Sequence, residues 1–216
     1  MNQISNQIAN IRQDYCLASL DEKETGNNPV LFFEKWFQQA EHAQVMEVNA
    51  MTVTTVDAQH KPHARVVLLK GIEQGQFVFF TNYDSDKGQQ IEENPHVAVV
   101  FFWPELQRQV RIEGTIEKVT PQYSDEYFNM RPLASRIGAL ASPQSQKIVS
   151  RGVLEKRYEA LSQLPESAIQ RPNHWGGYAI TPEKIEFWQG RSSRMHDRIV
   201  FEKEIVNTWN KYRIAP

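Results

Sequence analysis

The pattern of apolar residues changes near residue 50, where helical spacing gives way to short apolar runs. Before that point, apolar side chains recur every three or four residues, which predicts two amphipathic helices. The first is marked by Ile4, Ile8, Ile11 and Tyr15. The second is expected to begin at Pro29 with Asn28 as its cap, because proline needs no amide partner at the first helical position.

From residue 50 onward, β-branched and aromatic residues form runs separated by short turns, which is typical of antiparallel strands. The predicted strands are 51–56, 64–71, 76–81, 97–103, 109–119, 175–180, 184–189, 194–202 and 208–214. Helices are expected after the cap Ser85, from Pro121 to about Arg131, and over 152–164, with a surface linker at 165–172. This order predicts a mainly β protein with flanking helices, of the α+β class.

Composition narrows the function classes. The chain has a net charge of −2 and so lacks the overall positive charge that is typical of nucleic-acid-binding proteins. We therefore expect no nucleic-acid partner. The single cysteine, Cys16, fits a reducing compartment, and no signal peptide or membrane-spanning run is recognisable, so we expect a cytoplasmic protein without a membrane partner. Glycine-rich nucleotide motifs and the nucleophile elbow are absent. His60 and His63 lack further ligands at suitable spacing, so no metal site is predicted.

Two segments could bind a phosphate. In the strand 65–70, Arg65 and Lys70 bracket an apolar run on opposite faces, although both could simply reach water at the strand ends. The segment 80–87 joins a strand to a helix N-terminus, whose free amides favour an anion, and Thr81, Ser85 and Lys87 could supplement them. Ordinary capping by Ser85 is the alternative.

Two further clusters suggest ligand binding. Tyr127, Arg131 and Ser135 are four residues apart, which would place a phenol, a guanidinium and a hydroxyl on one side of a helix and its exit, or on a solvated face. Alternation along the predicted strand 194–202 would place three potential cations, Arg194, His196 and Arg198, on one face. They would repel one another unless an anion or acidic neighbours lie among them, and Trp188 nearby offers a flat surface to a ring.

The chain resembles the pyridoxine (pyridoxamine) 5′-phosphate oxidase family from about residue 12 to residue 216. Nine blocks occur in that family's order: RVVLLK, FFTNYDSDK, RQVRIEG, YFNMRP, SRIGALASPQS, HWGGY, IEFWQG, RMHDR and RIAP. The resemblance implies an FMN-binding split β-barrel, with residues 1–216 forming one domain and residues 1–28 an N-terminal helical or lid segment. It also implies a homodimer with FMN at the subunit interface.

The resemblance further implies which residues contact each ligand. The FMN contacts would be Arg65, Val66, Val67, Leu68, Leu69, Lys70, Phe80, Thr81, Ser85, Lys87, Gln109, Gln144, Ser145, Trp188 and Arg198. The substrate contacts would be Arg12, Gln13, Asp14, Tyr15, Lys70, Tyr127, Arg131, Ser135, Arg194, Met195 and His196, with Arg194 and His196 in catalytic roles. Residues 12–15 match a segment that can fold over the site.

The implied reaction oxidises pyridoxine 5′-phosphate or pyridoxamine 5′-phosphate to pyridoxal 5′-phosphate, and dioxygen becomes hydrogen peroxide. Two departures stand out. Asp86 occupies a position where a basic residue is usual, and we expect it to turn away from the FMN phosphate; Gln13 and Asp14 replace the more common Arg and Glu. A related flavin oxidase acting on a phenazine precursor, and a non-catalytic FMN or pyridoxal-phosphate carrier, are the alternatives.

Overall fold

The computed structural model describes residues 3–11, 14–205 and 208–216. The chain forms two compact units, each assembled from separate stretches of sequence. Unit 1 comprises Met1–Val48, Val100–Ile112 and Lys184–Pro216, and unit 2 comprises Asn49–Val99 and Glu113–Glu183. The predicted organisation of residues 1–216 as one functional domain stays a prediction.

Helices and strands alternate along the described residues. The helices are α1 (Gln3–Asn10), α2 (Pro29–His42), α3 (Asp86–Glu93), α4 (Pro121–Met130), α5 (Leu133–Ala141) and α6 (Arg151–Ser162). The strands are β1 (Ala50–Val56), β2 (Pro62–Leu68), β3 (Gly71–Glu73), β4 (Gln76–Asn82), β5 (His96–Trp103), β6 (Arg108–Lys118), β7 (Trp175–Gln189), β8 (Asp197–Ile205) and β9 (Thr208–Arg213). Short 3-10 helices lie at 104–106, 166–168 and 192–194.

The sheet of unit 2 positions most of the predicted phosphate-binding residues. Its strands follow the order β2-β1-β5-β6-β7-β4-β3, of which β5, β6 and β7 also run into unit 1. β1 and β2 are antiparallel, with Val53 opposite Arg65, and β4 is antiparallel to β7, with Phe80 opposite Gly177. Alternation on β2 leaves Val66 exposed and turns Arg65 and Val67 toward the less exposed side, as the sequence predicts.

Unit 1 is built on aromatic packing. Phe32, Phe33 and Trp36 lie on the buried face of α2, and Phe32 contacts Phe187 with ring centroids 4.7 Å apart. β8 pairs with the last six residues of β7 and with β9, so that Trp188 lies opposite Arg198. The predicted cap is confirmed, because the side chain of Asn28 accepts hydrogen bonds from the amides of residues 30 and 31.

Several local predictions are wrong. The first helix ends at Asn10, so Ile11 and Tyr15 lie outside it, and Ile4 and Ile8 are exposed. The predicted strand 64–71 is divided between β2 and β3, whereas the two strands predicted within 175–189 form the single strand β7. Helix α5 is not predicted, because Pro132 indicates the end of a helix. Pro132 is also the N-cap residue of α5. The linker 165–172 contains a 3-10 turn and the buried Ile169.

Within the ranges that the structure describes, no helix is both long enough and apolar enough to cross a bilayer.

Candidate active site

A cavity of about 880 Å³ lies in unit 2 beside strand β2, the end of β4 and the start of α3. Of the predicted FMN contacts, those that border it are Arg65, Val66, Val67, Leu68, Lys70, Phe80, Thr81, Lys87, Gln144 and Ser145. Leu69 and Ser85 are buried and do not border it. The structure therefore brings together the predicted segments 65–70 and 80–87, which nine residues separate in the sequence.

Lys87 is the buried cation of this cavity. Its ammonium group donates to Thr81 Oγ1 at 3.0 Å, Ser85 Oγ at 3.1 Å and Gln144 Oε1 at 3.0 Å, all of them neutral acceptors. Burial, together with the charge of Arg65, lowers the pKa of Lys87 to about 8. Ser85 has a second function, because its hydroxyl also caps α3 at the amide of residue 88.

Arg65 adds a second cation held by neutral groups. Its guanidinium donates to the carbonyl oxygen of residue 53 at 3.2 Å, to Thr55 Oγ1 at 2.6 Å and to Gln90 Oε1 at 3.1 Å. Burial lowers its pKa, although Asp86 opposes that effect. Neither Lys87 nor Arg65 bonds a carboxylate among the residues that the structure describes. The cavity therefore has a positive region, and an anion bound there would stabilise it.

Asp86 was expected to turn away from the FMN phosphate, and that orientation stays a prediction. Asp86 is exposed at the first position of α3 and is among the residues that border this cavity. Its charge raises the pKa of both Arg65 and Lys87 against the larger effect of burial. The positive end of the helix dipole and the nearby cations both favour a carboxylate at this position. A phosphate bound between the two cations would therefore lie close to a negative charge.

A second cavity in unit 2, of about 550 Å³, is bordered by Tyr127, Arg131 and Ser135. The prediction that they converge is supported, but they do not share one helix: Tyr127 lies on α4, Arg131 follows that helix, and Ser135 lies on α5. The guanidinium of Arg131 lies 4.6 Å from the Trp175 ring centroid. The Nη1 atom of Arg131 is buried without a hydrogen-bond partner in the described structure. Burial lowers the pKa of the Arg131 guanidinium.

The two cavities share a wall. Lys70 borders both, as do Phe80, Thr81 and Gln144. Phe80 stacks on Tyr127 with ring centroids 3.8 Å apart, which fixes the position of the phenol. Lys70 could thus contact anions in either cavity, in agreement with its place in both predicted residue sets.

Unit 1 brings together another part of the predicted site. The Tyr15 ring lies 5.7 Å from that of Trp188 and 5.8 Å from that of His196, and the last two rings are 4.7 Å apart. A cavity of about 540 Å³ is bordered by Ile11, Asp14, Tyr15, Arg191, Ser193, Arg194 and His196. Met195 is exposed and does not border it, and the predicted contacts Arg12 and Gln13 lie outside the described residues.

Residues 194–196 belong to the loop 190–196 and not to the strand 194–202 that the sequence predicted. Ser193 and Arg194 have φ values of 54° and 61°, in the left-handed region, and β8 begins only at Asp197. Strand alternation therefore cannot place Arg194, His196 and Arg198 on one face. At Gly190 any side chain would collide with Tyr15, since a Cβ atom there would lie 2.8 Å from the Tyr15 Cγ atom.

The three predicted FMN contacts of unit 1, Gln109, Trp188 and Arg198, remain predictions. Arg198 donates to both carboxylate oxygens of Glu186, at 2.8 and 3.0 Å, and this pairing raises its pKa. Gln109 is half-buried on β6. Three residues that the sequence analysis did not single out have clear contacts: Glu186 beside Arg198, Gln90 beside Arg65, and Arg191 beside His196. Glu186 precedes Trp188 by two residues on one strand, a spacing that could have indicated it.

Histidines form no metal site in the part of the chain that is described. His63 pairs with Asp57 at 2.9 Å, and no group of three or more His, Cys, Asp or Glu side chains comes together within the described ranges.

Comparisons with solved structures define the fold class. The chain is similar to PhzG from Burkholderia lata, solved in complex with tetrahydrophenazine-1-carboxylic acid, with a TM-score of 0.85 and 24% identity over 93% of this chain and 99% of that one. It is also similar to a pyridoxamine 5′-phosphate oxidase-related, FMN binding protein from Nostoc punctiforme, with a TM-score of 0.71 and 17% identity over 85% and 97% of the two chains. These similarities confirm the predicted split β-barrel with flanking helices.

Sequence comparisons define the family. The family model described as pyridoxamine 5′-phosphate oxidase matches residues 37–164, and one described as pyridoxine 5′-phosphate oxidase C-terminal dimerisation region matches residues 175–216. A pyridoxine/pyridoxamine 5′-phosphate oxidase from Leptospira interrogans is 57% identical over 97% of this chain and 98% of its own length. One from Ralstonia nicotianae is 50% identical over 97% and 99%. The chain belongs to the pyridoxamine 5′-phosphate oxidase family.

The depressed pKa of Lys87 predicts how stability changes with pH. The folded protein loses the Lys87 proton at about pH 8, whereas the unfolded chain keeps it to a pKa of 10.5. Between these values the unfolded state binds more protons, so Lys87 makes the free energy of unfolding rise with pH. Urea unfolding at pH 8 and pH 10 should show a larger rise for the wild type than for Lys87→Met. Equal rises would mean that the ammonium group is not desolvated.

Proposed function

We propose that the protein is an FMN-dependent oxidase that converts pyridoxine 5′-phosphate or pyridoxamine 5′-phosphate to pyridoxal 5′-phosphate, with dioxygen as the electron acceptor. Hydrogen peroxide is released, with ammonia from the amine substrate. Family membership and the names of relatives at 50–57% identity support this activity. The structural observation that supports it best is a pair of adjoining cavities in unit 2. Lys87 borders one and Arg131 the other, and neither bonds a carboxylate within the described residues.

The larger cavity fits the FMN phosphate. Lys87 and Arg65 offer charge-assisted hydrogen bonds, and Thr81 and Gln144 lie within reach of the same ammonium group. FMN, when bound, supplies the redox chemistry by accepting a hydride. The protein itself binds and orients the two ring systems, because a transfer of this kind requires the reacting atoms within about 3–3.5 Å.

The smaller cavity fits the substrate phosphate. Arg131 has a buried Nη1 donor without a partner in the described structure, and the phenol of Tyr127 and the hydroxyl of Ser135 border the same space. A buried donor left unpaired is costly, so a ligand oxygen that satisfies it is bound strongly. Lys70, which borders both cavities, completes the phosphate clamp.

Arg194 and His196 of the third cavity position the pyridine ring: Arg194 covers the face away from the flavin, and His196 hydrogen-bonds the ring oxygen. Tyr15 and Asp14 border this cavity with them, which supports a lid role for residues 12–15. Trp188, Arg198 and Gln109 contribute further flavin contacts.

We also propose a homodimer with FMN at the subunit interface. The match of residues 175–216 to a C-terminal dimerisation region supports the dimer. The single cysteine, Cys16, is exposed and unpaired, which fits a cytoplasmic protein.

The phosphate clamp predicts substrate selectivity. Arg131→Ala should lower kcat/KM for pyridoxamine 5′-phosphate about 10- to 150-fold, the effect of losing a hydrogen bond to a charged group worth about 1.5–3 kcal/mol. Peroxide release by the flavin-loaded enzyme is the measurement, and unphosphorylated pyridoxamine should react as slowly with the variant as with the wild type. Arg151→Ala, which removes a charge from an exposed helix, is the control.

Three results would contradict parts of this assignment. Equal turnover of phosphorylated and unphosphorylated substrates by the wild type would rule out the clamp. Bound flavin without turnover would favour a carrier, and turnover of a phenazine precursor in preference to pyridoxamine 5′-phosphate would favour the other flavin oxidase.

The position of Asp86 predicts a gain in FMN affinity when its charge is removed. Two unit charges about 6 Å apart at an effective dielectric of 20 repel by about 3 kcal/mol, and exposure to solvent reduces this to a several-fold change in Kd. Asp86→Asn should therefore bind FMN several-fold more tightly, by flavin fluorescence titration, and the gain should shrink at high salt. Asp84→Asn removes an exposed charge outside the cavity and should have little effect. Equal FMN affinities for Asp86→Asn and the wild type would mean that Asp86 turns away from the FMN phosphate.

A further inference from the structure

The imidazole of His196 is bonded through one specific nitrogen. The backbone amide of Arg191 lies 3.0 Å from His196 Nδ1. We propose that this contact fixes His196 as the tautomer protonated on Nε2, so that His196 binds the substrate as a hydrogen-bond donor and does not act as the proton acceptor of the reaction. The proposal rests on the function proposed above.

The chemistry of the contact allows one assignment. A backbone N–H can only donate, so Nδ1 must present its lone pair to Arg191. A neutral imidazole carries one proton, and that proton must then be on Nε2. No hydrogen bond from Nε2 to another group is found in the described part of the chain, and His196 borders the cavity that it shares with Arg194 and Tyr15.

The surrounding contacts keep the Arg191 amide in place. The Arg191 guanidinium donates a hydrogen bond of 3.0 Å to Oδ2 of Asp197, the residue that follows His196 in the chain. Asp197 also accepts hydrogen bonds from the Leu20 amide at 3.1 Å and from Arg213 at 2.7 Å, and the carbonyl oxygen of Gln107 accepts from the Gly190 amide at 2.8 Å. The loop is thus fixed at both ends, and the imidazole is held between two ordered residues.

A donor at Nε2 selects the form of the ligand. It matches a ring oxygen that presents lone pairs, and best an ionised one, because a hydrogen bond to a charged oxygen is the stronger kind. In the proposed substrates this is the oxygen of the hydroxyl group attached directly to the pyridine ring. His196 would therefore favour substrates whose ring hydroxyl is ionised, and a ring without this oxygen would lose the bond.

The tautomer can be observed directly. The flavin-loaded protein, labelled with ¹⁵N in its histidine rings, would be examined by two-bond ¹H–¹⁵N correlation, with the His196 signals assigned by their loss in His196→Gln. The proposal expects Nε2 protonated and Nδ1 unprotonated at neutral pH. A proton on Nδ1, or on both nitrogens, would overturn it. This readout does not depend on turnover, so a correct tautomer in an inactive protein would count against the proposed function and not against this inference.

Two amide variants test the direction of the bond to the ligand. Gln places its NH₂ group near the position of Nε2, whereas Asn reproduces only the Nδ1 side. The probe is pyridoxal 5′-phosphate against its analogue without the ring hydroxyl, both titrated into the flavin-loaded protein. The wild type should prefer the first on the order of tenfold or more. His196→Gln should keep part of that preference and His196→Asn should lose it. Equal binding of the two ligands by the wild type, or a preference kept by Asn and lost by Gln, would overturn the proposal.

Discussion

Burial of positive charge without a carboxylate partner is the constraint on which the site depends. Lys87 is surrounded by hydroxyl and amide oxygens, Arg65 by a carbonyl and neutral side chains, and Arg131 lies over an indole with a buried donor unpaired. Each arrangement removes a cation from water without a bonded counter-charge, which is unfavourable by itself. In the proposed function two phosphates, one from the cofactor and one from the substrate, would offset this cost.

In the proposed function, phosphate binding and ring orientation are assigned to different parts of the chain. Unit 2 supplies the cations, from strand β2, the start of α3 and the residue after α4. Unit 1 supplies a loop in which Ser193 and Arg194 adopt left-handed backbone conformations and His196 is bonded through Nδ1. Strained residues of this kind persist where neighbouring contacts hold them, and here Asp197 and Gly190 provide those contacts. A rigid loop suits a residue that must meet a flat ring at a fixed angle.

Local signals in the sequence were sufficient for most elements but not for the loop. Asn28 and Ser85 were predicted as caps because capping depends on adjacent residues, and the sites around Lys87 and Arg131 followed from the family's motifs. Pro132 misled the prediction because proline can end one helix and open the next. The alternation expected from Arg194 to Arg198 failed because left-handed conformation at non-glycine residues has no clear sequence signal and depends on tertiary contacts. Asp86 borders its cavity because of the helix dipole and the nearby cations, an effect visible only in three dimensions.

Phosphorus NMR of the flavin-loaded protein with pyridoxal 5′-phosphate tests the central claim most directly. Two bound-state resonances are predicted, one for each phosphate. Lys87→Met should shift or broaden the FMN resonance far more than the other, and Arg131→Ala should do the reverse. A single phosphate environment, or two variants that perturb the same resonance, would contradict the claim that Lys87 and Arg131 serve two different phosphates.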